Sequence, residues 1–359
     1  MADQIYALPP GSRILVTGAN GYIASHVVNL LLERGYRVRG QVRQPRPWLD
    51  KLFQQKYGDL FESVILPRLD DRDAIAPLLE DISGVMLIVG TIFVPLYMIE
   101  ADKYGQATDN SMRDDPSIVE ATVQTNLTWL ELAAERSSIK RVVLTSSASS
   151  ITLAEANAHG RFDKDSWNSF APAAVKSRSP ELAPFMGGLI YCAAKTESER
   201  EALKWVEEHQ PAFAFNSVVP YFNIGPRMHP ESGSRMTSMA MAVGLTKGAG
   251  EFMPLFPPLW YVSVEDTAQL HIAALLHPEL KSERIFAMAG PFNWTDVIGV
   301  LRKLQPDNDK IPNPPLNEGT SLHEFIGVEK AEQILREFCG RPGWTSLEDC
   351  FAAGLPTYE

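Results

Sequence analysis

Short apolar runs separated by amphipathic stretches set the rhythm of this chain. Runs at 13–17, 36–42, 63–66, 84–90, 141–146 and 214–220 read as strands, because continuous apolar segments of this length suit strands buried on both faces. Between them, apolar residues recur at helical spacing over 22–35, 117–137 and 191–209. Such alternation predicts an α/β fold built on a doubly wound parallel sheet. Two long segments break the rhythm: 101–116, which is polar, and 148–188, which is rich in Ala and Pro. Both leave the C-terminal end of a strand, the ligand side of such sheets, so 101–116 is expected to be either a flap over a substrate mouth or a disordered surface excursion. The most apolar run, 84–99, contains Gly90 and Pro95 and is shorter than the roughly 20 residues a membrane helix needs.

The first strand runs through Thr17 into Gly18-Ala19-Asn20-Gly21-Tyr22-Ile23-Ala24 and then a helical pattern. Strand, glycine turn and helix form the context of a Rossmann-type dinucleotide site. Gly18 and Gly21 let the backbone approach a pyrophosphate at the helix N-terminus, where free N–H groups and the helix dipole favour anions. The spacing is G-x-x-G-x-x-A, a departure from G-x-G-x-x-G. The second strand ends without an acid for a ribose 2′-hydroxyl and offers Arg43, with Arg39, Arg46 and Lys51 nearby. A guanidinium there pairs with a 2′-phosphate, which favours NADPH over NADH.

Farther along, Tyr191-Cys192-Ala193-Ala194-Lys195 places a phenol and an ammonium four residues apart on one helix face. A nearby cation favours phenolate, so Tyr191 is a candidate proton donor or acceptor. Y-x-x-x-K alone also occurs by chance on solvated helices. The strand at 141–146 ends in Thr145-Ser146-Ser147, where a hydroxyl can polarise a substrate carbonyl. Cys192 is expected to point away from Tyr191 as a small buried residue.

With these motifs in place, the chain resembles the extended short-chain dehydrogenase/reductase superfamily, in the branch of dihydroflavonol reductases and yeast NADPH-dependent aldehyde or carbonyl reductases. The likeness rests on T-G-A-N-G-Y-I-A-S-H-V at 17–27, R-V-V-L-T-S-S at 141–147, Y-C-A-A-K at 191–195, V-V-P-Y-F-N-I-G-P at 218–226, Y-V-S-V-E-D at 261–266 and G-R-P-G-W at 340–344. The resemblance implies that Tyr191 is the general acid of carbonyl reduction and that Ser147, second of its pair, hydrogen-bonds the carbonyl oxygen. Lys195 is implied to lower the tyrosine pKa and hold the nicotinamide ribose. Cofactor contacts are then expected from Gly18, Asn20, Gly21, Tyr22, Ile23, Arg43, Arg68, Leu69, Thr145, Tyr191, Lys195, Pro220 and Phe222. The substrate pocket is expected to involve Phe93, Ala148, Gly187, Tyr221 and Met228. Pro67-Arg68-Leu69 replaces the family's adenine-contacting acid, leaving Arg68 to stack on the base or reach a phosphate. Gln124-Thr125-Asn126-Leu127-Thr128 departs from the usual relay helix, with Thr128 the aligned candidate.

Composition sharpens the picture by exclusion. The 359 residues are 45% hydrophobic with a net charge of -11, enough for a sizeable core and unsuited to nucleic acid or anionic membranes. Three cysteines lack C-x-x-C spacing, and seven histidines form no metal-ligand pattern, so a reducing, cytoplasmic setting without a metal is expected. No signal segment is read at the N-terminus, and no G-x-S-x-G elbow is present. Residues 1–225 are expected to form the NADP-binding domain and 226–359 mainly the substrate-binding part, with about 258–275 returning to the first. Met228, Met236, Met239, Met241, Phe252, Met253, Phe256 and Trp260 either line a greasy pocket or pack as core. The combined expectation is a monomeric or homodimeric NADPH-dependent reductase of a small-molecule ketone or aldehyde. A nucleotide-sugar epimerase or dehydratase, or a non-catalytic NADP sensor, is the alternative.

Overall fold

The computed structural model describes residues 5–88, 115–232 and 238–358. Phe93, Met236 and all of the 101–116 segment except Asp115 and Pro116 lie outside the described residues. The first part runs β1 (Arg13–Val16), α1 (Tyr22–Glu33), β2 (Arg37–Val42), α2 (Pro47–Tyr57), β3 (Phe61–Ile65), α3 (Arg72–Ile75) and β4 (Gly84–Leu87). The middle part holds α4 (Ser117–Ala134), β5 (Arg141–Thr145), β6 (His159–Phe162), α5 (Phe170–Ser177), α6 (Met186–His209), β7 (Ala214–Pro220) and β8 (Phe222–Ile224). The last part comprises α7 (Ser238–Leu245), β9 (Leu259–Ser263), α8 (Val264–Leu276), β10 (Arg284–Ala287), β11 (Gly290–Phe292), α9 (Trp294–Leu304), β12 (Leu322–Phe325), α10 (Val328–Glu337) and α11 (Leu347–Gly354).

Seven strands form one sheet in the order β10-β7-β5-β4-β1-β2-β3, every neighbouring pair parallel. Successive side chains alternate between two cores. Ile14, Val16, Met86, Val143 and Val218 join α1 and α8 on one face. Leu15, Val85, Leu87, Val142 and Leu144 join Trp129 and Leu130 of α4 and Ala202 of α6 on the other. Because both faces are covered, the strands read as unbroken apolar runs. This is the expected Rossmann-type doubly wound sheet.

Beyond it, β8 pairs in parallel with β9, and β9 pairs antiparallel with β11. This three-stranded layer packs with Ile224, Met239, Phe292, Trp294 and Phe351 into a second core. Met239 and Met253 are 0% and 5% exposed there, so for these two the core reading holds over the pocket reading. The 148–188 stretch is more ordered than its composition suggested: it contains β6, which pairs with β12, then α5 and the first turn of α6. Helix α6 starts at Met186 and not near 191, because Met186, Leu189 and Ile190 pack with Ala171, Ala174 and Val175 of α5, outweighing the low helix propensity of Gly187 and Gly188.

The chain crosses back between layers. Helix α8 packs on α1, and β10 closes one edge of the main sheet. The G-R-P-G-W segment docks on the same helix: Arg341 pairs with the fully buried Asp266 at 3.2 Å, and the Thr345 N–H donates to it at 2.8 Å. Among the described residues no helix is long and apolar enough to cross a membrane.

Candidate active site

At the C-terminal edge of β1 the chain makes its glycine turn. Gly18 sits at φ +60, a left-handed conformation that costs glycine little. A Cβ at Gly21 would meet the Gly18 oxygen at 3.0 Å. Gln41, fully buried on β2, braces the turn: the Gly18 N–H donates to its Oε1 at 2.9 Å, while its Nε2 donates to the Leu66 oxygen at 2.8 Å. No side chain caps α1 and no acid stands in its first turn, which leaves its opening N–H groups for an anion. These features fit a dinucleotide's pyrophosphate. The Tyr22 ring is committed elsewhere, its hydroxyl donating to the Gly225 oxygen at 2.7 Å, so only its backbone serves the turn. Asn20 and Ile23 remain partly exposed.

The basic residues after β2 divide by role. Arg39 donates to Glu62 at 2.8 Å and to the Leu78 and Glu80 oxygens, so it is structural. Arg43 is exposed and pairs with no carboxylate among the described residues, which fits a 2′-phosphate. Arg68 forms a two-pronged pair with Asp70 at 3.1 and 2.9 Å. The carboxylate two residues on already balances its charge. The Leu69 oxygen accepts from Trp129 Nε1 at 2.9 Å.

The hydroxyls and the ammonium meet where α6 crosses the end of β5. Ser147 caps a short 3-10 turn over Ala148–Ser150, and its Oγ accepts from the Ser149 N–H at 3.3 Å and Oγ at 2.9 Å. Tyr191, half-buried, has the hydroxyls of Ser147 and Ser149 beside its phenol. Burial raises its pKa above the ordinary phenol value, and the two serines pull it partly back. The downward pull was expected from Lys195. That ammonium instead donates to the Thr145 oxygen at 3.1 Å, and burial draws its pKa down to about 8 against the opposing effect of Glu199. The Thr145 hydroxyl donates to His271 Nε2 at 2.7 Å, since Nδ1 of that ring donates to the Thr267 oxygen at 2.8 Å. Burial pushes His271 down to about 4, so the ring is neutral at physiological pH.

Beneath this group lies a buried carboxylate that the sequence reading passed over. Glu199 Oε2 accepts from Ser146 at 2.6 Å and Ser150 at 2.7 Å, and Oε1 accepts from Ser217 at 2.6 Å. Arg284 of β10 donates to both oxygens, at 3.0 and 3.1 Å. Its remaining donors go to Lys164 and Ser166 oxygens and Ser150 Oγ, and its guanidinium lies 3.8 Å over the Trp167 ring. Burial alone would raise the Glu199 pKa, but Arg284 and the hydroxyls hold it below the ordinary value. Tyr191, Lys195 and Glu199 stand at i, i+4 and i+8 on α6, and continuing the Y-x-x-x-K spacing by one turn is the signal that would have found it.

The other expected residues fall in varied places. Tyr221 and Phe222 are partly buried after Pro220, which pairs with Ala287. The Phe222 ring packs on Phe292 and Trp294 at 5.4 and 6.1 Å. Ala148 is 2% exposed, among Ile151, Val219 and Phe325. Gly187 lies in the first turn of α6, and Met228 packs against the α1–α2 core. Cys192, expected as a small buried residue, is half-buried, and burial pushes its thiol pKa up to about 12.

A family model for NAD dependent epimerases and dehydratases matches residues 14–289, from β1 through β10. The chain belongs to that family. Within it, the chain is 40% identical to the ketoreductase nvfG of Aspergillus novofumigatus (strain IBT 16806), covering 99% of each. It is 34% identical to aldehyde reductase 2 of Sporidiobolus salmonicolor, over 95% of this chain and 94% of that protein. Its fold matches yeast methylglyoxal/isovaleraldehyde reductase Gre2 complexed with NADPH, with a TM-score of 0.75 at 21% identity, covering 96% of this chain and 98% of that one. Like the relatives it matches end to end, this family member is an oxidoreductase.

The buried ion pair yields the first prediction. Arg284→Met lowers unfolding free energy by about 3–5 kcal/mol, because it strands the Glu199 charge. In urea denaturation, adding Glu199→Gln recovers more than about 1 kcal/mol over the sum of the single changes. Simple additivity would show that the two groups are not coupled.

Proposed function

We propose that the chain is an NADPH-dependent ketoreductase, reducing a ketone or aldehyde on a mid-sized, partly hydrophobic molecule to the alcohol. The observation that carries this reading is the convergence at the end of β5 of Ser147, on the turn beyond the strand, with Tyr191 and Lys195, one helical turn apart on α6, the ammonium on the Thr145 oxygen, all on the same sheet edge as the open α1 N-terminus. Bound along that edge, a reduced nicotinamide supplies the hydride. Ser147 hydrogen-bonds the carbonyl oxygen and steadies its growing negative charge. Tyr191 gives that oxygen its proton, and its raised pKa keeps the phenol protonated, as an acid must be, across neutral pH. Lys195, anchored on Thr145, holds the ribose hydroxyls. The α1 amides take the pyrophosphate and Arg43 the 2′-phosphate, which favours NADPH over NADH.

Substrate selection falls to the partly exposed groups around the trio. Tyr221, Gly187 and Cys192 supply a mainly apolar surface with one phenol, which suits a hydrophobic carbonyl compound better than a nucleotide sugar. The kinship to ketoreductase nvfG and aldehyde reductase 2 supports the same choice.

Loss of reduced-nicotinamide absorbance with a panel of ketones and aldehydes tests the reading. NADPH is expected to outperform NADH, and Tyr191→Phe to lower kcat about a hundred- to ten-thousand-fold while NADPH still binds. Tight NADPH binding with no carbonyl turned over would leave the protein a sensor.

A pH profile separates the two titrating groups. Lys195 carries its charge below about pH 8 and loses it above, so KM for NADPH rises from that point. Tyr191 titrates above the ordinary phenol value of about 10, so kcat for reduction holds through neutral pH and falls only at higher pH. A fall in kcat centred near neutral pH would contradict these assignments.

A further inference from the structure

A fully buried histidine takes no part in the mechanism above. His271 lies on α8, and α8 and α6 cover opposite faces of the main sheet. Side chains alternate along β5, so Val143 and Thr145 face α8 while Leu144 and Ser146 face α6. At the end of the strand the two helices therefore grip neighbouring residues from opposite sides. Thr145 Oγ1 donates to His271 Nε2 at 2.7 Å, and Ser146 Oγ donates to Glu199 Oε2 at 2.6 Å. The carbonyl that receives the Lys195 ammonium, at 3.1 Å, belongs to the peptide joining those two residues.

An ammonium carries three N–H donors in a fixed tripod. With one of them set on the Thr145 oxygen, a tilt of that peptide would re-aim the other two. Side-chain grips on both sides of the peptide oppose such a tilt. Histidine suits the α8 side because one ring nitrogen donates while the other accepts. Nδ1 donates to the Thr267 oxygen at 2.8 Å, one turn back on α8, which leaves Nε2 to accept from Thr145. Burial draws the ring pKa down to about 4 and so keeps Nε2 an acceptor across neutral pH. The same turn of α8 reaches the segment after β7: Thr267 Oγ1 donates to Asn223 Oδ1 at 2.7 Å, and Asn223 Nδ2 donates to the Tyr221 oxygen at 3.1 Å.

On the strength of the reductase reading, we propose that His271 is a positioning residue: from the face opposite Glu199 it fixes the Thr145–Ser146 peptide and so aims the Lys195 ammonium at the nicotinamide ribose. No bond is made or broken at the ring.

The test measures binding of NADPH and of 2′,5′-ADP, which carries the 2′-phosphate but no nicotinamide ribose, alongside steady-state kinetics. His271→Leu and Thr145→Val remove the link from either side. Each is expected to raise Kd and KM for NADPH about tenfold, while Kd for 2′,5′-ADP and kcat at saturating NADPH stay within about threefold. The double variant is expected to lose little more than either single one. His271→Gln, whose amide oxygen reaches the acceptor position, is expected to recover most of the loss. Unchanged NADPH affinity in both single variants overturns the proposal, and so does an equal loss for 2′,5′-ADP, the mark of a merely structural role. A Gln variant as weak as the Leu variant counts against it as well. A parent that binds NADPH and turns over no carbonyl overturns the reductase reading alone, since the binding comparison still decides what His271 holds in place.

Discussion

Burying a charge inside a protein is costly unless every lone pair and proton finds a partner, and Glu199 meets that condition. Its two oxygens accept five hydrogen bonds, from Ser146, Ser150, Ser217 and both prongs of Arg284. Those partners come from the end of β5, the turn beyond it, β7 and β10. The carboxylate therefore sets how α6 lies against the edge of the sheet. Tyr191 and Lys195 stand two turns and one turn before it on the same helix, and Ser147 stands next to Ser146. Any change in the register between helix and strand would break the charged network before it moved the phenol.

The sheet edge is also closed from the other side. Tyr22 and His26 of α1 donate to the Gly225 and Pro226 oxygens at 2.7 and 2.9 Å, and His229 stacks on Trp48 of α2 at 4.5 Å. The segment after β8 thus straddles the helices that follow the glycine turn. Through Asp266 the 341–345 segment is bound to α8, whose His271 in turn receives the Thr145 hydroxyl. Few of the polar side chains near the edge are free to reorganise, which is the condition under which fixed dipoles and donors stabilise developing charge most.

Much of this was legible in the sequence, and the remainder has physical reasons for having been hidden. The long strands and helices announce themselves because both faces of a parallel sheet are buried. By contrast, β6, β8, β11 and β12 have three or four residues each, and their pairing depends on what packs against them and not on an alternating pattern. Tyr191 and Lys195 followed from helical spacing and Ser147 from its strand end. Glu199 shares that spacing, but its meaning depends on Arg284, on a strand 85 residues away that no local pattern brings near. For the same reason the downward pull on the Tyr191 pKa was assigned to Lys195, whereas hydroxyls of a folded turn supply it. Arg39 and Arg43 look alike in sequence, and only the position of Glu62 separates a structural cation from an open one.

The account reduces to a placement: a carbonyl oxygen between Ser147 and Tyr191, with a dinucleotide laid along the same edge. A crystal structure with NADP and a ketone tests this most directly. It is expected to show the ketone oxygen within hydrogen-bond distance, about 2.6–3.2 Å, of both Ser147 Oγ and the Tyr191 hydroxyl, the pyrophosphate on the α1 amides and the 2′-phosphate on Arg43. A dinucleotide bound elsewhere, or a Tyr191 phenol turned from the bound ketone, would contradict it.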